Sequence, residues 1–123
     1  MIRDLLTPDN HRDPYVWGAV LLAHAQITLV LWGGLAALAG PWVAVALVSA
    51  GYLLVWEGAQ LRSALRRGDK LAPALADGVV DWIGVTAGAY AAACLLAGDL
   101  LGAVLAWMSL LIVAAVGYYR RSK

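Results

Sequence analysis

Phenylalanine is missing from this sequence, cysteine occurs once, and charged residues make up only 14% of it. The single cysteine, Cys94, lies inside an apolar run, which excludes an internal disulfide and reads as a small buried hydrophobe. No nucleophile stands with a base in any recognisable motif, no cysteines or histidines have zinc spacing, and no glycine-rich phosphate loop is present. These absences point away from an enzyme. The net charge of +1 says nothing about partners by itself, because what matters is where the positive residues sit, and no nucleic acid is expected among those partners. There is no repeat of the kind that builds a soluble solenoid. The scarcity of charge excludes most, because the few charges cluster in short segments and leave uncharged runs long enough to cross a bilayer.

Those runs dominate what is there. The 123 residues are 63% hydrophobic, far above the apolar share of a soluble domain, and one domain over residues 1–123 is expected. Four spans can be read, over about residues 15–39, 42–61, 78–97 and 100–119. Spans of about twenty residues match a hydrocarbon core of roughly 30 Å. Pro14 suits a first helical turn, "AGP" at 39–41 ends the first span with Pro41 opening the second, and "AGD" at 97–99 closes the third. The second helix can run on through "RSALRR" until Gly68 stops it. A β-barrel is excluded by such long apolar runs. "ALA" at 37–39 resembles a signal-peptide cleavage site, but the stretch before it is too long for a signal core and is preceded by acids as well as bases, so the first helix is read as an uncleaved span.

Orientation follows from the basic residues. Arg3 and Arg12 precede the first span, Arg62, Arg66, Arg67 and Lys70 lie between the second and third, and Arg120, Arg121 and Lys123 follow the fourth. Four spans put all nine on one side, which the positive-inside tendency makes the cytoplasm, with Asp99 the only charge opposite. The expected fold is therefore an all-α integral membrane protein. Its four transmembrane helices form two antiparallel hairpins, with both termini cytoplasmic and a basic loop over residues 62–77.

Polar residues inside this frame are the candidate sites. Glu57 and Gln60 lie at i and i+3, with Glu57 about 22 Å along the second helix from Trp42, near the inner boundary. Asp77 and Asp81 share one helical stripe with Gly84 and Gly88. Both ends of the basic loop thus bring acids to one depth. Such a rim can bind a divalent cation or a lipid headgroup, pair with arginines, or transfer a proton. The plainer reading makes Asp77 an N-terminal cap and Asp81 a first-turn acid favoured by the helix dipole, with Glu57 reaching headgroup water or Arg62. Interfacial acids are cheap enough that this plainer reading is favoured slightly.

His24, about ten residues into the first helix, is a candidate ligand for haem or chlorophyll, or a proton relay; an interhelical hydrogen bond is the commoner use of such a residue. No cofactor is expected. Thr28, Thr86 and Ser109 can bond back to their own helix carbonyls, and Trp32, Trp56, Trp82 and Trp107 read as packing residues. "GVTAG" at 84–88 is a GxxxG that permits close helix approach, within the bundle or across a dimer.

Residues 57–88 resemble the VanZ-like membrane proteins. That family has Glu-x-x-Gln at the end of one span, a basic loop, and Asp-x-x-x-Asn-x-x-Gly at the start of the next. "EGAQ" supplies Glu57 and Gln60, "RRGD" supplies Arg66, Arg67 and Asp69, and "DGVVDWIG" supplies Asp77, Asp81 and Gly84. Asp81 departs from the pattern, since the family usually carries asparagine there, and the added charge favours a cation or proton over a neutral hydrogen-bond network. The resemblance implies a small protein of the bacterial inner membrane associated with glycopeptide tolerance and envelope functions, and it supplies no chemistry. Two other classes stand beside it. One is an accessory or scaffolding subunit of a larger membrane complex; the other is an oligomeric pore such as a phage holin or small transporter. The partners expected are the bilayer and either further copies of the chain or the other subunits of such a complex.

Overall fold

The computed structural model describes residues 14–122, and among them every regular element is helical. Helix α1 runs over Pro14–Ala39, α2 over Pro41–Arg67, α3 over Leu71–Leu96 and α4 over Leu100–Arg121. All four are long and apolar enough to cross a membrane. Large hydrophobic side chains stand exposed on each of them, Val30 at 78%, Leu54 at 74% and Leu101 at 69% among them, as lipid-facing surfaces require.

Glycine and proline set the turns. Gly40 takes a φ of +87°, open to glycine at little cost, and Pro41 then starts α2 where a missing N–H costs nothing. The α1–α2 turn is held by Trp32, whose Nε1 donates to the Pro41 carbonyl at 3.1 Å. Gly68 ends α2 in the left-handed region, with its N–H on the Leu65 carbonyl and the Asp69 N–H on that of Ala64. Gly98 ends α3 in the same way, and the Asp99 side chain then caps α4 by accepting from Gly102 N at 2.9 Å.

The basic connection is shorter than expected. Helix α2 continues through Arg67 and α3 begins at Leu71, so only residues 68–70 join them instead of 62–77. Ala72, Ala74, Leu75 and Ala76 are strong helix formers, and Pro73 falls in the first turn, where no intrahelical donor is needed. Asp77 and Asp81 therefore lie in the second and third turns of α3. The expectation that they cap its start does not hold, because the orphan N–H groups of that helix are one to three turns away.

Helix α3 is the centre of the molecule. Half of its most apolar stretch is buried, against 17–22% for the other three, and it touches all of them. Helix α1 also packs on α2 and α4, while α2 and α4 do not meet among the described residues. The α1–α3 seam is close because α3 presents glycine to it. A Cβ on Gly88 would lie 2.7 Å from the Ala25 carbonyl oxygen and 3.1 Å from its Cα, and one on Gly84 would lie 3.1 Å from a Leu21 methyl. Between Tyr52 and Glu57 helix α2 widens into a π turn, with Gly58 N–H reaching the Leu53 carbonyl. The wider winding brings Tyr52 and Glu57 towards the same side of the helix, facing the α1–α3 layer.

Candidate functional site

Helix α1 carries His24 and α3 carries Asp81 to a common level inside the bundle. His24 Nδ1 lies 3.5 Å from Asp81 Oδ1, within ion-pairing distance once the imidazole is protonated; the side chains are 15% and 7% exposed. Tyr52 of the π turn packs edge-on against the imidazole, with ring centroids 5.8 Å apart and planes at 74°. Behind His24, its own carbonyl accepts from Thr28 Oγ1 at 2.7 Å. A carboxylate and an imidazole held this close in an apolar bundle can share, take up or release a proton, and neither is common inside a membrane helix without a use.

The helices around this pair are clipped by hydroxyl and indole groups. Ser49 Oγ lies 2.8 Å from Thr86 Oγ1, and Trp82 Nε1 donates to Ser49 Oγ at 2.9 Å and to its carbonyl at 3.2 Å. These bonds fix α2 against α3 one turn from Asp81. Thr28 and Ser109 do bond back to their own helices, whereas Thr86 bridges to α2 instead.

The other expected residues face different neighbours. Glu57 and Gln60 are both 8% exposed and line a cavity of about 130 Å³ with Leu53, Leu75 and Gly78. The Glu57 carboxylate rests where a Gly78 Cβ would otherwise be, so this glycine makes room for the acid. Asp77, half-buried, turns instead towards α4 and lines a second cavity with Arg120 and Arg121. Among the described residues, no three His, Cys, Asp or Glu side chains converge as a metal site. Gly84 and Gly88 lie on the α1–α3 seam, beside the His24–Asp81 pair.

By sequence position alone His24 and Asp81 belong to different candidate sites. The signal that joins them is depth. With α1 starting at Pro14 and α3 at Leu71, each residue is ten positions into its helix, about 15 Å along the axis. The partnership of Tyr52 needed the π turn, which nothing in the sequence marks beyond the flanking Gly51 and Gly58.

No family model, curated protein or solved structure matches this chain.

Proposed function

We propose that this is a four-span, non-enzymatic protein of the bacterial inner membrane, VanZ-like in type, that binds a proton or compact cation at a buried His24–Asp81 pair. The observation that carries this reading is the 3.5 Å approach of those two side chains in the bundle interior. Burying two ionisable groups in an apolar environment is costly unless they are paired, and such pairs mark ion and proton sites in membrane helices. The VanZ-like pattern contributes Glu57 and Gln60, which enter from α2 on the side of the basic connection. Asp81 in place of the family's asparagine adds the charge that a cation needs. All nine lysines and arginines fall on one side when the helices are taken as two antiparallel hairpins, which supports cytoplasmic termini.

Proton counting tests this. Titrating the protein in nanodiscs should show about one proton per chain more exchanged by wild type than by His24→Gln/Asp81→Asn. Identical titration curves would overturn the reading.

A second feature favours assembly with further copies or with a larger complex. Gln26, twelve residues into α1, is exposed and has no hydrogen-bond partner among the described residues. Lipid tails offer its amide nothing, whereas a neighbouring helix can bond to it. Loss of a larger species in mild detergent on Gln26→Leu checks this.

A further inference from the structure

Between the start of α3, the basic end of α4 and Trp17 of α1 lies a cavity of about 430 Å³. Val80, Val113 and Val116 form its apolar wall, and Asp77, Arg120 and Arg121 stand on its lining as well. The Trp17 indole backs it, pressed onto Gly117 so closely that a Cβ there would overlap the ring. Arg121 is held in place: its guanidinium stacks over Trp17 at 4.2 Å and Nη1 donates to the Gly117 carbonyl at 3.5 Å. Arg120 is exposed and has neither hydrogen bond nor ion pair among the described residues. Among the described residues, two guanidiniums and one carboxylate stand on this lining.

We propose that the cavity binds an anionic glycerophospholipid, with its phosphate on Arg120 at the mouth and one acyl chain along Val80, Val113 and Val116. A guanidinium matches phosphate geometry, and basic pockets between membrane helices are suited to anionic headgroups. The apolar wall selects a lipid over free phosphate, which would leave it uncovered. A second copy of the chain would bring the same positive charges against these, so like charges disfavour it. The site requires only that the basic end of α4 lies at a membrane surface. It does not involve His24 or Asp81, so its failure would leave the proton-binding reading standing.

Lipid binding to the full chain in mild detergent, followed by native mass spectrometry and thermal unfolding, tests it. Phosphatidylglycerol should bind and raise Tm more than phosphatidylcholine of the same chains, with inorganic phosphate having no effect. Arg120→Gln should weaken phosphatidylglycerol about fivefold, the worth of one basic residue near a membrane surface. Arg66→Gln, which removes an exposed charge lining a different cavity, should leave binding unchanged. Equal effects of the two lipids would overturn the proposal, as would equal losses in the two arginine variants. Stabilisation by phosphate alone, or a dimer that Arg120→Gln dissolves, would replace the lipid with those occupants and overturn it too.

Discussion

His24 on α1 and Asp81 on α3 face each other across the glycine-lined α1–α3 seam, with Nδ1 and Oδ1 3.5 Å apart. The glycines that allow the contact are Gly84 and Gly88, one and two turns further along α3 from Asp81. They let the α1 backbone at Leu21 and Ala25 come near enough for His24 to reach the carboxylate.

Removing one member of this pair should cost more than removing both. Asp81→Leu leaves the imidazole against an apolar side chain and should destabilise by about 1–3 kcal/mol, read as a lower Tm in detergent. His24→Leu/Asp81→Leu should recover part of that loss, since an apolar pair of similar size needs no partner. Asp81→Asn keeps a hydrogen-bonding group beside His24 and should unfold close to wild type.

Substitutions at glycine separate the seam from the lipid face. Gly88→Ala places a Cβ 2.7 Å from a backbone oxygen, which cannot move without shifting α1, and should cost about 1–3 kcal/mol. Gly84→Ala meets a Leu21 methyl at 3.1 Å and no backbone atom closer than 3.5 Å, so a smaller loss is expected. Gly33→Ala meets nothing within 4 Å and should be neutral or slightly stabilising. Thermal unfolding of the three variants checks the order.

Much of this architecture is legible in the sequence. Pro14, Pro41 and "AGD" mark ends where helices begin or stop, and the uncharged runs between them fix four apolar helices. What misleads is the segment 71–77. Its alanines and leucines are helix formers, yet Pro73 and the preceding Gly68 and Lys70 read as loop, and Asp77 reads as a cap. Moving the start of α3 back to Leu71 shifts Asp81 by about 10 Å relative to the helix end. That places it level with His24 instead of at a rim. The directions of Asp77 and Glu57 were beyond reach for a different reason. Residues on one stripe spread by tens of degrees, and the π turn in α2 changes its phase without a sequence signal.

Gly78 and Glu57 should behave as a coupled pair. In wild type, Gly78→Ala forces the carboxylate out of its place, whereas in a Glu57→Ala background the new methyl has room. Double-mutant analysis by thermal unfolding should give a coupling of about 0.5–3 kcal/mol, the range for contacting residues, and additive losses would show that the acid lies elsewhere.

The most direct measurement of the central claim is a 15N NMR titration of the His24 imidazole in nanodiscs, with His11→Gln removing the only other histidine. If His24 and Asp81 hold a proton as one unit, the 15N signals of His24 respond to pH and Asp81→Asn changes that response. A pH response of His24 that Asp81→Asn leaves in place would contradict the account.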